Sequence, residues 1–391
     1  MSRTLIVTND FPTRHGGIES FVYALAERLP ADEVVVYTAT MPGHRDFDAR
    51  LPYPVVRDRA SVLLPTPAVS RRTADVLRAE RCDSVLFGAA APLGLLADGL
   101  RGAGARRVVG LTHGHETWWA RVPAARRALR RIGDGCDVLT YVSEFCRRRI
   151  VPALSADVAE RMVRLAPGVD TEVFRPGVGG AAIRERLGIA PGRPVLVSVS
   201  RFVPRKGQDA LIKAMPHLLA AVPDALLLLV GDGPSRRRLE RLTREHDVAT
   251  SVIFAGAVPW SDAPGWFDVG DVFAMPCRTR MGGLEPEALG IVFLEAQACG
   301  HPVLVGDSGG APETVLHGET GYVVDPFNPV AIAARAADLL SDLDRVRLMG
   351  EKGRAWVERD WTWHESVAVL RGLLAPPEPD TAVRDRQQPP V

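Results

Sequence analysis

Two doubly wound, Rossmann-like α/β domains facing a central cleft are the architecture that this sequence predicts. Three observations carry the prediction. Short apolar runs, each followed by a loop and then by apolar residues at helical spacing, recur along the chain. That strand–loop–helix–strand order implies parallel sheets with right-handed crossovers. A connector at residues 167–174 interrupts the order, and a second series opens at Val195. The chain also has 391 residues, whereas single cores stop growing at about 250–300.

In the first series a strand at 5–8 leads into the loop Asn9-Asp-Phe-Pro-Thr-Arg-His-Gly-Gly. Ile18, Phe21, Val22, Leu25 and Leu29 then recur at helical spacing until Pro30. Strands follow at 34–37, 84–88, 107–112 and 137–142, with helices at 91–100 and 144–150. The second series places strands at 195–200, 225–230, 251–256, 272–275 and 302–306. Its helices are expected at 210–221, from 235, at 291–299 and at 329–340. A last amphipathic segment, 351–374, carries Trp356, Trp361 and Trp363. The predicted division is an acceptor-binding domain at 1–168, with a helix at about 360–374 packing back onto it, and a nucleotide-sugar-binding domain at 169–359. Residues 375–391, rich in Pro, Asp, Arg and Gln, read as a disordered tail.

Composition excludes several classes. With 46% hydrophobic and 24% charged residues, a mean hydropathy of +0.02 and a net charge of +1, the chain is no bulk polybasic nucleic-acid binder. No apolar run approaches the roughly 18 residues that span a bilayer. The N-terminus enters a strand at once and has no signal-peptide pattern. The expected location is therefore the cytoplasm, with any membrane contact peripheral, on the inner face of the cell membrane. Five scattered cysteines without a C-x-x-C pair read as reduced thiols.

Open sheets of this kind bind ligands beyond the carboxyl ends of their strands, so the strand-end loops carry the candidate chemistry. Gly16-Gly17 either lets backbone N–H groups approach a phosphate or makes a tight turn. His113-Gly114-His115-Glu116 lacks a third metal ligand at suitable spacing, which leaves His113 as a contact to substrate or as a loop histidine bonded to backbone. Arg201 and Lys206, with Arg205 between them, suit a pyrophosphate, although a solvated basic turn has the same composition. Gly231-Asp-Gly-Pro is a turn or a phosphate-approach loop, and no complete G-x-G-x-x-G follows a strand. Arg121, Arg126, Arg127, Arg130 and Arg131, interleaved with Val122, Leu129 and Ile132 and preceded by Trp118-Trp119, form a basic amphipathic helix. It fits an anionic membrane or an ordinary solvated face.

The stretch 282–302 organises the second domain. An acidic loop precedes the apolar helix, Gly300 and Pro302 end it, and Glu287 and Glu295 stand eight positions apart. A helix start near Gly290 aims free N–H groups at an anion, and Glu295, one turn in, can accept hydroxyl hydrogen bonds. Phosphate plus sugar is the combination of a nucleotide-sugar site.

Together these features resemble the retaining glycosyltransferases of the GT-B fold. The shared pattern is a Gly-Gly loop after the first strand, a strand-end His, Arg-x-x-x-x-Lys, and Glu-(seven residues)-Glu before Ala-x-Ala-x-Gly. Val7-Thr-Asn-Asp-Phe-Pro, Thr112-His-Gly-His-Glu, Val203-Pro-Arg-Lys-Gly-Gln-Asp and Leu289-Gly-Ile-Val-Phe-Leu-Glu-Ala-Gln-Ala-Cys-Gly look like the actinobacterial phosphatidylinositol-mannoside mannosyltransferases. The resemblance implies transfer of mannose from GDP-mannose onto phosphatidylinositol monomannoside through an α-1,6 linkage, in lipoglycan and phospholipid biosynthesis. It assigns the diphosphate to Arg201 and Lys206, the ribose hydroxyls to Glu295 and the donor sugar to Glu287. It gives backbone contacts to Leu289, Gly290 and Ile291, the reacting carbon to His113, and the donor phosphate or acceptor to Gly16 and Gly17. Asp10, Trp118, Arg126, Arg127, Arg130 and Arg131 fall on the acceptor or membrane side. The sequence lacks an Asp-x-Asp metal loop, so no cofactor is expected; magnesium could affect activity without being required. Leu289 replaces the aromatic of many relatives, and Glu285 competes with Glu287, which alone has the right offset from Glu295. The rival readings are another hexosyltransferase on the same fold and, in a different class, a sugar-nucleotide 2-epimerase.

Overall fold

The computed structural model describes residues 3–14 and 16–375. The predicted tail therefore lies, from residue 376 onward, outside the described residues. The chain divides into two compact units. One comprises residues up to Tyr141, Arg149–Leu165 and the chain from Val367; the other comprises Val142–Arg148 and Ala166–Ser366.

The first unit is built on seven strands: β1 (Thr4–Thr8), β2 (Val34–Ala39), β3 (Val55–Asp58), β4 (Ser84–Phe87), β5 (Arg107–Gly110), β6 (Val138–Tyr141) and β7 (Val163–Arg164). Their order is β3-β2-β1-β4-β5-β6-β7, and their pairings are parallel. The second unit has six: β8 (Val195–Val199), β9 (Leu226–Val230), β10 (Val252–Gly256), β11 (Val272–Met275), β12 (Val303–Gly306) and β13 (Gly321–Val324). They run parallel in the order β10-β9-β8-β11-β12-β13. β9, Leu-Leu-Leu-Leu-Val, is buried throughout, as a strand covered on both faces must be. In each sheet the strand order reverses at the first strand of the series. The open ends of β1 and β4, and of β8 and β11, are therefore the switch points at which such sheets bind ligands. Among the described residues no helix is long and apolar enough to cross a membrane.

Three strands absent from the sequence reading, β3, β7 and β13, all lie at sheet edges. Each is short, and β3 is only half-buried along most of its length, so the apolar run that betrays a central strand is missing. The helix Pro67–Ala79 was also absent from that reading, although Thr66 caps it through Val69 N, Pro67 opens it, and Val69, Thr73, Ala74 and Leu77 face inward. The single helix expected at 91–100 is broken. Ala91 is non-helical beside Pro92, a 3-10 turn follows at Gly94–Leu96, and the helix resumes at Ala97–Gly102.

The final segment corrects the sequence reading as well. It forms two helices, Leu343–Asp360 and Trp363–Leu374. They break where Val169 N donates to Trp361 O at 2.7 Å. Gly168 permits this approach, because a Cβ there would lie 2.3 Å from Trp363 N. The end of the last helix packs on the first unit: Leu373 O accepts from Arg107 Nε at 2.6 Å and Leu374 O from Ser84 Oγ at 3.0 Å. Residues 142–148, expected within 1–168, group with the second unit because Ser143 Oγ donates to Ala288 O at 2.7 Å and the Glu313 carboxylate accepts from Glu144 N and Phe145 N at 2.8 and 2.9 Å.

The loop after β8 is held against the loop after β11 by backbone contact. Gly207 has φ 81°, and a Cβ there would stand 2.0 Å from Pro276 O. Left-handed strain and a backbone clash combine at this position. Gly207→Ala is expected to destabilise the protein by about 2 kcal/mol or more, read as a lower urea midpoint; an unchanged midpoint would contradict this packing.

Candidate active site

The loop after β8 ends in a 3-10 turn, Pro204–Lys206, that presents two cations to one carboxylate oxygen. Arg205 Nη1 lies 2.6 Å and Lys206 Nζ 2.7 Å from Glu287 Oε2. Burial works against ionisation of Glu287. The adjoining Lys206 and Arg205 charges outweigh it and hold the carboxyl below its ordinary range. The backbone of Glu287 is fixed on both sides: its N–H donates to Ser308 Oγ at 3.2 Å, and its carbonyl accepts from Gly310 N at 2.9 Å. Glu285 is more exposed, paired with Arg280 at 3.3 Å and only 3.9 Å from Arg205. Of the two competing glutamates, Glu287 is the one the structure brings to Lys206. Arg201 is exposed, and its guanidinium has no partner among the described residues.

Gly290, at φ 89°, starts the helix Ile291–Ala298 without a side-chain cap. A Cβ there would meet the Phe293 ring at 2.8 Å, so the turn requires glycine on both counts. The N–H groups of Leu289, Gly290 and Ile291 have no acceptor among the described residues, the condition in which a helix start attracts an anion. One turn in, Glu295 is buried with Oε2 unpartnered. Burial pushes its carboxyl up to about 8, against the pull of Lys206. An open helix start beside cations suits a diphosphate, and a buried carboxyl without a partner suits a pair of ligand hydroxyls.

In the first unit, Gly16 precedes the helix Gly17–Arg28 in extended conformation. A Cβ on Gly16 would stand 2.4 Å from Glu19 Oε2, whereas Gly17 faces open space. Only the movable end of the Glu19 side chain opposes a Cβ at Gly16, so neither glycine is required by packing, and the helix start is already faced by a carboxylate. His113 Nε2 lies 2.6 Å from Gly88 O. A carbonyl only accepts, so Nε2 carries the proton. Burial lowers the imidazole's pKa despite Glu116 nearby, leaving a neutral ring whose Nδ1 is an acceptor. Glu116 fixes this loop by accepting from His113 N at 3.0 Å and Gly114 N at 3.2 Å. Asp10 lines a cavity of about 340 Å³ with Asn9, Arg14, Ile18, Pro92 and His115. Burial, and then Glu19, raise its carboxyl above the ordinary value.

The basic segment forms the helix Pro123–Gly135, with Leu129, Ile132 and Gly133 buried and Arg126, Arg127, Arg130 and Arg131 exposed. Arg121, Arg126, Arg127 and Arg130 surround a groove of about 400 Å³ with Pro123 and Ala153. Val122, expected on the apolar face, instead precedes the helix and is 43% exposed beside a 41% exposed Trp118.

The family profile Glycosyltransferase Family 4 matches residues 15–173, and Glycosyl transferases group 1 matches residues 181–356. A GDP-mannose-dependent alpha-(1-6)-phosphatidylinositol monomannoside mannosyltransferase of Mycolicibacterium smegmatis is 47% identical over 376 residues, covering 95% of this chain and 98% of that protein. The chain belongs to the GT-B glycosyltransferases. A GDP-mannose-dependent monoacylated alpha-(1-6)-phosphatidylinositol monomannoside mannosyltransferase of Corynebacterium glutamicum is 44% identical, over 95% of this chain and 97% of its own. The crystal structure of Anabaena HepE in complex with UDP shares the fold, with a TM-score of 0.79 over 96% of this chain and 99% of that one at 19% identity.

Within this glycosyltransferase, sequence reasoning passed over Ser308-Gly309-Gly310, the loop after β12 that holds Glu287. Its signal was available, as a second Gly-Gly pair at a strand end: Gly309 has φ 61°, and a Cβ there would lie 2.0 Å from Glu287 O. Arg205 was noted only as an additional cation. Glu295 makes the clearest pH statement. Its folded pKa, about 8, stands above the ordinary carboxyl value of 4.5, so the folded chain binds the extra proton and the group's stability contribution is lost as pH rises across that window. Relative to Glu295→Gln, the unliganded enzyme should lose up to about 1.4 kcal/mol of unfolding free energy per pH unit over it. Parallel pH curves from chemical denaturation would contradict this.

Proposed function

We propose that this glycosyltransferase moves mannose from GDP-mannose onto phosphatidylinositol monomannoside, forming an α-1,6 linkage, in phosphatidylinositol mannoside and lipoglycan biosynthesis. The observation that carries the reading is the 47% identity, over nearly the full length of both chains, to the Mycolicibacterium smegmatis enzyme of that name. The second unit has the chemistry a donor requires. Lys206, with Arg201 on the same loop and the open N–H groups of Leu289, Gly290 and Ile291, meets the charge that grows on the departing diphosphate. Glu295 accepts the ribose hydroxyls and Glu287 those of the sugar. Same-face attack through an oxocarbenium-like state then retains the anomeric configuration without a glycosidase-type carboxylate pair. Arg201 and Lys206 supply fixed positive charge for the diphosphate, so transfer is proposed to need no metal and to persist in chelator.

Acceptor recognition is assigned to the first unit. The Asp10 cavity suits a polyhydroxylated headgroup, Nδ1 of neutral His113 can accept a hydroxyl hydrogen bond, and Gly16-Gly17 leaves backbone close to the ligand. The Arg126–Arg131 face, with Trp118 at its edge, is proposed to rest on the anionic inner surface of the cell membrane.

Incubation with GDP-mannose or UDP-sugars and phosphatidylinositol or its monomannoside, followed by linkage analysis, tests the reading. The expected product is a dimannoside formed from GDP-mannose, with GDP released only when lipid is present. No transfer to either lipid from any donor would sink it, and conversion of the nucleotide sugar to its C2 epimer without acceptor would favour an epimerase. Lys206→Ala and Glu287→Ala should each lower kcat/KM by about 10²–10³ while the variants remain folded by circular dichroism at the assay temperature; near-wild-type turnover would remove those residues from the site. Arg→Gln changes at 126, 127, 130 and 131 should each weaken flotation with phosphatidylserine vesicles by about 1 kcal/mol, roughly fivefold. Flotation indifferent to charge and salt would refute the membrane face.

A further inference from the structure

Lys206 and Arg205 both converge on Glu287 Oε2, at 2.7 and 2.6 Å, and Oε1 has no hydrogen-bond partner among the described residues. The two cations are not equivalent. Lys206 carries a compact charge on a flexible stem and, in the donor reading above, is drawn to the diphosphate. Arg205 is a planar fork on a fixed backbone. Its carbonyl accepts from Arg278 N at 2.8 Å, the preceding Pro204 O accepts from Arg278 Nε at 3.0 Å, and Arg278 is itself tied to Asp209. Gly207, close against Pro276 O, fixes the other side. If Lys206 were the sole counter-ion, a bound diphosphate would compete for it, and the buried carboxylate would have to follow the lysine or take up a proton.

We infer that Arg205 is a positioning residue: it retains Glu287 Oε2 when Lys206 engages the diphosphate, and so keeps Oε1 presented to the hydroxyls of the donor sugar. The inference rests on the donor reading above and adds to it a division of labour between adjacent cations. Arg205 acts through Glu287 and touches no reacting atom. The groups facing Glu287 are Lys206 and Arg205 from the loop after β8 and the Cys277 thiol from the loop after β11, with Glu285 beside Arg205. Burial pushes the Cys277 thiol up to about 12, so it stays neutral. Removing Arg205 takes away one of the two charges that offset burial, and the acidic limb of the rate profile moves to higher pH.

The test compares the full-length wild type with Arg205→Gln and Arg205→Lys. For each, kcat and KM for GDP-mannose with phosphatidylinositol monomannoside, the pH profile of kcat/KM, the Kd of GDP and the unfolding midpoint are measured. Arg205→Gln should lower kcat/KM by about tenfold to a hundredfold, shift the acidic limb upward, and leave the Kd of GDP within about threefold. Arg205→Lys, which restores the charge without the fork, should return the limb to its wild-type position and recover part of the rate. An active wild type beside an indifferent Arg205→Gln overturns the inference alone. So does a loss of GDP affinity that matches the loss of kcat/KM, since Arg205 would then bind phosphate directly. A wild type that neither binds GDP nor transfers mannose overturns the donor reading and this inference with it.

Discussion

Glu287 is buried and ionised, and only the convergence of Lys206 and Arg205 on one of its oxygens makes that state stable. A buried carboxylate without partners would take up a proton, because desolvation in the interior costs several kcal/mol per ion. Burial therefore opposes the charge here and the two cations reverse the outcome. The same pairing places a lysine and an arginine beside the uncapped start of the helix Ile291–Ala298. An anionic ligand arriving there meets donors already oriented, which is the condition for electrostatic stabilisation of a leaving group.

That convergence depends on backbone geometry at three strand ends. The loop after β8 supplies the cations, the loop after β11 supplies Glu287, and the loop after β12 fixes Glu287 through Ser308 and Gly310. β8, β11 and β12 are neighbours in the sheet, so residues separated by about a hundred positions in the chain meet at one edge. Gly207, Gly290 and Gly309 each combine a positive φ with contact too close for a Cβ. These glycines act on ligand binding indirectly, by setting where charged side chains begin.

The legible part of this architecture was the part with a strong apolar signature. Central strands such as β9 and β11, and the helix at Pro329–Leu340, are continuous or periodic in their hydrophobicity and were found within a residue or so. The edge strands β3 and β7 bury too little to show that signal, and β13, Gly-Tyr-Val-Val, is buried but only four residues long. Lys206, Glu287 and Glu295 were readable because their motif spacing resembles a known family, and residue chemistry alone left each of them open. Ser308 was not readable as a site residue, and Arg205 only as a further cation of its loop, since their significance lies in contacts across the sheet, 21 and 82 positions from Glu287. His113 shows the converse. Its strand-end position was legible, but the backbone acceptor that fixes its tautomer, Gly88 O, belongs to another strand end.

The two glutamates that bracket the start of the Ile291–Ala298 helix have the spacing of a possible acid–base pair, and their environments assign them to different work. Glu287 is drawn below the ordinary carboxyl range by two adjacent cations, while Glu295, with burial unrelieved except by Lys206, is pushed up to about 8. Glu287 is thus a fixed acceptor at neutral pH, whereas burial leaves Glu295 holding its proton. Since Lys206 opposes the burial of both carboxyls, a diphosphate that draws on the lysine alters both at once. Anion binding at Lys206 and the protonation of Glu287 and Glu295 are thus linked through that single side chain. The linkage is tightest where a second cation is lacking, at Glu295, and weakest where Arg205 stands in reserve, at Glu287.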